Sequence, residues 1–208
     1  MSDSRYDELV RVAGPVSRET FLRLSAFQAT FEKWAARINL TAPSTIPELW
    51  SRHILDSAQL LPLAPKALRW LDLGSGGGFP GAVLSVLLDG RNGASITLVE
   101  STQKKASFLR NAIAGSPGSV VAKRIEDVWG EFEGTEIITA RALAPLNKLL
   151  GLAEPWLAAG TTALFHKGRD YRREIQESRD AWQFSLVEHP SAIDAASVIL
   201  EISDLKKR

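Results

Sequence analysis

Cysteine is absent from the 208 residues, which excludes disulfides, thiolate nucleophiles and cysteine-ligated metals together. Histidine is scarce: His53, His166 and His189 stand far apart without ligand spacing, and no metal site is expected. No uninterrupted apolar run approaches the roughly 20 residues that a membrane-spanning helix requires. The amino-terminal stretch MSDSRYDELVRVAGPVSRE carries acidic residues and lacks an apolar core, so it does not read as a secretory leader. Together these absences point to the cytoplasm and away from membranes. An excess of either charge is missing as well: the formal net charge is +1, which neither demands nor forbids a nucleic-acid partner. What remains is 45% hydrophobic and 24% charged residues, the balance of a folded globular chain. The length suits one domain, and there is no internal repeat or low-complexity segment.

The first third reads as helical. Phe21, Leu24, Phe27, Phe31, Trp34 and Ile38 recur mostly three or four apart, one face of a helix with Ser17 as its N-cap. A second helix is expected from about Pro47, with Leu49, Trp50, Ile54, Ala58 and Leu61 as its apolar stripe, before Pro62 and Pro65 mark a loop. Short apolar runs then alternate with helical stretches. Strands are expected at 69–73, 95–99, 120–122, 136–140 and 161–165, with two late ones near 184–187 and 197–202. Helices are expected at about Pro80 to Leu88, around Ala106 to Ile113, and from Leu146 and Tyr171. Strands separated by helices imply right-handed crossovers. The fold class expected is α/β: a Rossmann-like, mostly parallel seven-stranded sheet with helices on both faces. Residues 1–66 would form a helical cap on a core of 67–208, all within one domain.

The segment Leu71 to Gly81, LDLGSGGGFPG, follows a strand and opens a helix, where glycine lets the backbone turn tightly and approach a ligand. Gly76, Gly78 and Gly81 fit the GxGxxG of dinucleotide sites, while Gly74, Gly76 and Gly78 fit the GxGxG turn of Rossmann-like methyltransferases. The flanks favour the second register. Asp72 places at the strand end an acidic group that suits a cationic ligand better than a pyrophosphate, and in the first register Pro80 would remove a donor amide. Glu100, ending SITLVE, is placed to accept from both hydroxyls of an adenosine ribose, or else to supply negative charge ahead of the Thr102 helix. After the third strand, Ile125 would pack on an adenine ring and Glu126 or Asp127 would read its edge; a charged surface loop is the plain alternative.

With these residues placed, the chain resembles the RsmG (GidB) family of bacterial 16S ribosomal RNA guanine-N7 methyltransferases. The likeness is carried by NLTA from Asn39, RHILDS from Arg52, the LDLGSGGGFPG turn, RIED from Arg124, ARA from Ala140 and the pair Lys167-Gly168, in the family's order. The resemblance implies an enzyme that uses S-adenosyl-L-methionine to methylate N7 of one guanosine in the 530 loop of 16S rRNA, naked or within the 30S subunit; a monomer is expected. It implies cofactor contacts at Gly74, Phe79, Ile125, Glu126 and Arg141, and the glycine turn and strand ends add Asp72, Gly76, Gly78 and Glu100 as candidates. Asn39, His53, Arg124, Arg141 and Lys167 are the candidate substrate contacts. One departure stands out: many members carry an Arg-His pair before the last strand, where this chain reads Asp194-Ala195-Ala196-Ser197.

No nucleophile or acid–base dyad stands out, and no catalytic residue is assigned. N7 of neutral guanine already bears a free lone pair, so orientation, which in general supplies roughly 7–11 kcal/mol, and fixed dipoles would carry catalysis. Arg141 and Lys167 are candidates to hold a phosphate or guanine O6, with solvated strand-end charge as the alternative. His53 and Asp56 lie one helical turn apart and could bond each other, a structural role being the better fit for the histidine; Asn39 and Thr41 could equally cap a loop. Lys104, Lys105, Lys123, Arg124, Arg169, Arg172, Arg173 and the tail Lys206-Lys207-Arg208 are the basic candidates for phosphate contact. Three other readings stand: a methyltransferase for another RNA, a protein or a small molecule; a nicotinamide oxidoreductase, disfavoured by Asp72 and Pro80; and a non-catalytic RNA-binding relative.

Overall fold

A computed structural model describes residues 4–208. Two helices open it, α1 (Ser4–Ala13) and α2 (Arg18–Ala35). Ser17 caps α2 as expected, its Oγ accepting the Thr20 amide at 3.0 Å. Phe21, Leu24, Phe27 and Phe31 are buried along one face.

The helix expected from Pro47 is not regular. A 3-10 turn (Pro43–Glu48), a π turn (Trp50–Leu55) and the short α3 (Asp56–Ala58) follow one another instead. Proline offers no amide to an α-helical ladder, and a π turn redirects the side chains and carbonyls it contains. The apolar stripe is nonetheless correct, since Leu49, Trp50, Ile54, Ala58 and Leu61 are all buried.

The remainder alternates: β1 (Arg69–Leu73), α4 (Gly81–Leu87), β2 (Ser95–Val99), α5 (Gln103–Ala112), β3 (Gly118–Val121), β4 (Ile137–Arg141), α6 (Leu146–Ala158), β5 (Thr162–Lys167), α7 (Tyr171–Ser178), β6 (Trp182–Pro190) and β7 (Val198–Lys207). The strands form one sheet in the order β3-β2-β1-β4-β5-β7-β6. Neighbours among β1 to β5 are parallel, whereas β7 runs antiparallel to both β5 and β6. The two late strands extend beyond their expected bounds because many of their outer residues, Gln183, Glu188, Lys206 and Lys207 among them, are polar. A hydrogen-bonded ladder can run past the apolar stretch that sequence periodicity detects.

Side chains alternate across the sheet. Trp70, Ile96, Leu98, Ile137 and Leu164 pack with Leu24 and Phe31 of α2, Leu84 of α4 and Phe108 of α5. Leu71, Leu73, Ile138, Ala140 and Phe165 pack with Leu150 of α6 and Ile175 of α7. The first cluster takes in residues from Leu9 to Ile199, so the amino-terminal helices share a core with the sheet. Among the described residues, no helix is long and apolar enough to cross a membrane. Chain order reverses between β1 and its neighbours β2 and β4, which opens a crevice at the strands' carboxyl ends.

Gly77 marks the join between the glycine turn and the amino-terminal segment. A Cβ there would stand 2.8 Å from the Leu40 carbonyl oxygen and 3.0 Å from Phe31 Cε2. Gly77→Ala is therefore expected to cost about 1–3 kcal/mol, as overpacking does. Urea unfolding checks this, since a lower midpoint at unchanged slope is the expected result.

Candidate active site

The ends of β1, β2 and β4, with the loop after β3, surround one cavity of about 660 Å³, a size that suits a small molecule. Gly74 and Gly76 form part of its lining with φ of +67° and +54°, a backbone that side-chain-bearing residues rarely adopt. The Gly76 amide donates to Glu100 Oε2 at 2.8 Å, and the Thr102 amide donates to Glu100 Oε1 at 2.7 Å. Glu100 thus fixes the glycine turn and the start of α5 while still facing the cavity. Ile125, Glu126 and Arg124 also line it, as do Phe79, His53 and Arg141. The residues fit a nucleoside with a charged tail: a carboxylate for ribose hydroxyls, apolar Ile125, Leu143 and Leu152 for a base, and glycines that allow close approach.

Four expected contacts need correction. Asp72 shares a face of β1 with Trp70, so its carboxylate is 0% exposed beneath the turn and does not line the cavity. Its Oδ1 accepts from Thr139 Oγ1 at 2.7 Å, and its Oδ2 lies against Gly81, where a Cβ would come within 2.4 Å. Burial pushes the Asp72 carboxyl up to about 6, against the pull of its polar neighbours, the Thr139 hydroxyl that donates to Oδ1 among them. Gly78 is a packing residue, since a Cβ there would lie 2.8 Å from Ala82 Cβ. Asn39 is exposed and off the cavity, and the adjoining Leu40 and Thr41 line it instead. Lys167 points to α7, where it ion-pairs with Glu174 at 2.5 Å and donates to the Ala144 carbonyl at 3.0 Å. It secures that helix and is not free to grip a phosphate.

Arg141 does reach the cavity, but as a brace. It pairs in register with His166 of β5, and both side chains turn to the π turn and α3. Arg141 Nη1 donates to Asp56 Oδ2 at 3.1 Å and to the Arg52 carbonyl at 3.2 Å, while Nη2 donates to His53 Nδ1 at 2.7 Å. His166 Nε2 donates to the Asp56 carbonyl at 2.8 Å. His53 and Asp56 are therefore joined through the guanidinium. The His53 ring stacks on Phe79, with centroids 4.9 Å apart and planes inclined by 24°. An arginine can only donate, so His53 Nδ1 is the acceptor and the ring proton sits on Nε2. That Nε2 is shielded from solvent and has no hydrogen-bond partner. Burial first, and the Arg141 charge second, lower the His53 pKa to about 4, so the ring is neutral at neutral pH.

Sequence reasoning passed over Leu143, Lys148 and Leu152, all of which line the cavity. Leu143 arrives there because Ala142 turns the chain at φ +52°, which no residue pattern announces. Lys148 and Leu152 stand four apart on α6, and that spacing was the available signal.

Asp72 and His53 act oppositely on stability as pH changes. The pKa of Asp72 rises on folding, so between about pH 6 and 4 the folded chain takes up a proton that the unfolded chain does not, and this contribution grows on acidification. The pKa of His53 falls on folding, so its contribution is lost as pH drops from 6.5 toward 4. His166, lowered chiefly by burial, acts in the same sense as His53. Removing the Asp72 carboxyl leaves the histidines unopposed. Asp72→Asn is expected to lose about 2 kcal/mol more than the unmodified chain between about pH 6.5 and 4.5. Urea unfolding at the two pH values checks it, and equal losses would show that Asp72 does not titrate in this window.

The family model for rRNA small subunit methyltransferase G matches residues 21–198. Proteins named Ribosomal RNA small subunit methyltransferase G from Chelativorans sp. (strain BNC1) and Brucella canis are 60% and 58% identical, covering 100% of this chain and 100% and 98% of theirs. Among solved structures, a Podospora anserina methyltransferase bound to SAH aligns with a TM-score of 0.60 at 15% identity, covering 91% of this chain and 97% of that one. An O-methyltransferase from Bacillus cereus in complex with SAH aligns with a TM-score of 0.57 at 13% identity, covering 95% and 96%. These two likenesses show the Rossmann-like methyltransferase fold. With more than half its residues shared along the whole length of its relatives, the chain belongs to the rRNA small subunit methyltransferase G family.

Proposed function

We propose that this chain methylates N7 of a guanosine in the 530 loop of 16S rRNA, acting in the cytoplasm as a monomer on the rRNA or the 30S subunit. The observation that carries the reading is a nucleoside-sized cavity at the strand ends of a chain whose family is named for methylating small-subunit rRNA. S-Adenosyl-L-methionine is the cofactor, and when bound it supplies an electrophilic methyl group. Glu100 would hold its ribose hydroxyls, Ile125 and Glu126 its adenine, and Gly74 and Gly76 its tail. The described part of the 1–66 segment, from Ser4, acts as a cap on 67–208 within one domain, with Leu40, Thr41 and His53 contributing to the cavity wall.

N7 methylation requires no proton to be removed, and neither His53 nor Arg141 is set up to take one. His53 is neutral with its proton on Nε2, and Arg141 is held by Asp56 and His53. An arginine bonded to both O6 and N7 would block the reacting nitrogen. Because Nη1 and Nη2 of Arg141 are engaged internally, N7 stays free. The chain's part is then to orient the base and exclude water. Lys105, Arg124 and Lys148 line the cavity without ion pairs among the described residues, which suits phosphates of an RNA strand drawn over it. The target base would have to leave its stack.

Methyl-labelled S-adenosylmethionine incubated with unmodified 30S subunits and with naked 16S rRNA tests the reading, and N7-methylguanosine at a single site is expected. Glu100→Gln should weaken cofactor binding about 10-fold or more, because a hydrogen bond to a charged group is worth roughly 1.5–3 kcal/mol. Calorimetry measures this, and an unchanged Kd would remove Glu100 from the nucleoside site. The chemical step should be flat from about pH 7 to 8.5 under single turnover, whereas a limb titrating near neutrality would reveal a general base.

A further inference from the structure

A second cavity, of about 600 Å³, lies beside the first and shares His53 and Arg141 with it. Its other walls come from the 3-10 and π turns, including Glu48, and from the loop between β6 and β7, with Ile193, Asp194 and Ser197. A flat base seated in it would turn one edge to the loop and the opposite edge to the cofactor cavity. Guanine has matching edges. N1–H and the N2 amino group donate in parallel on one side, while O6 and N7 accept on the other.

The loop side offers an acceptor in a fixed position. Asp194 Oδ1 accepts the Ala196 amide at 3.0 Å, and Oδ2 accepts from Ser197 Oγ at 2.8 Å. These two bonds hold the side chain in place and its pKa below the ordinary carboxylate range. Each oxygen keeps acceptor capacity beyond the bond it already makes. The wall shared with the first cavity, formed by His53 and Arg141, is the side to which O6 and N7 turn. Adenine presents an acceptor at N1, and uracil and cytosine lack the paired donors, so a carboxylate in this place selects guanine.

Resting on the rRNA reading above, we propose that this second cavity receives the target guanine, with N1–H and N2–H donated to Asp194 and with O6 and N7 turned to the wall it shares with the cofactor cavity. N7 gives its lone pair to the methyl carbon, the carbon–sulfur electrons return to sulfur, and no proton leaves the base. Positive charge develops on the purine and strengthens N1–H as a donor. The Asp194 contact therefore tightens toward the transition state, the condition for a contact to raise kcat and not merely lower KM. Asp194 stands in the stretch where the resemblance leads one to expect an Arg-His pair, so this recognition belongs to the chain's own sequence.

The test uses 30S subunits reconstituted with 16S rRNA carrying guanosine or inosine at the target position; inosine lacks only the N2 amino group. Unmodified enzyme should prefer guanosine by about 10-fold or more in kcat/KM, the effect of one charge-assisted hydrogen bond. Asp194→Asn should lose rate on guanosine, with the preference falling toward unity, while its Kd for S-adenosylmethionine stays unchanged. Equal rates on both RNAs for the unmodified enzyme, or a full preference kept by Asp194→Asn, would overturn the proposal. Tight cofactor binding with no label on guanosine would overturn the rRNA reading and this one with it, a result distinct from lost discrimination.

Discussion

The part-buried ion pair between Arg141 and Asp56 is the interaction on which the working end of the molecule depends. A guanidinium drawn out of water is costly unless its donors are met. Burial lowers the Arg141 pKa, and Asp56 opposes that shift. Asp56 supplies the counter-charge, the Arg52 carbonyl takes a further donor, and His53 Nδ1 takes another. The amino-terminal segment is thereby tied across the ends of β4 and β5. Wherever Asp56 is held, His53 is held too, and His53 and Arg141 line both cavities.

Strand alternation decides which residues can join that arrangement. Arg141 and His166 sit opposite each other in adjacent strands and point to the same face, so both meet Asp56. Lys167, one residue on from His166, must point the other way, and it meets Glu174 of α7. Asp72 obeys the same parity and is buried under the turn it precedes. A one-residue change of register would exchange these roles.

The chemistry follows from what the site leaves undone. Two histidines lie near the reacting region, and burial keeps both neutral, one protonated at Nε2 because it must accept from arginine and the other at Nε2 because it must donate to a carbonyl. Neither is poised as a base near pH 7. A nucleophile that already carries its lone pair has no use for one, and the site invests instead in fixed orientation.

Much was legible in the residues alone. Leu71 and Leu73 against Val99 marked two central strands to the residue, because a strand buried on both faces is apolar along its length. LDLGSGGGFPG marked the turn, because positive φ at Gly74 and Gly76 leaves few other residues possible. Glu100 and Ile125 could be read as strand-end residues, and both line the cavity because strand ends in this topology converge. What the chain's order could not convey was direction in space. Asp72, Lys167 and Arg141 all read as charges at strand ends, and only the packed structure showed one buried, one paired to a helix and one bracing a histidine. The π turn at Trp50–Leu55 and the bend at Ala142 were equally hidden, since both depend on contacts formed with distant segments. Local pattern determines which elements form, because it acts over a few residues. Which charged group faces a ligand depends on sheet parity and on partners 85 residues away in the chain, as Asp56 is from Arg141, and only the tertiary structure brings those together.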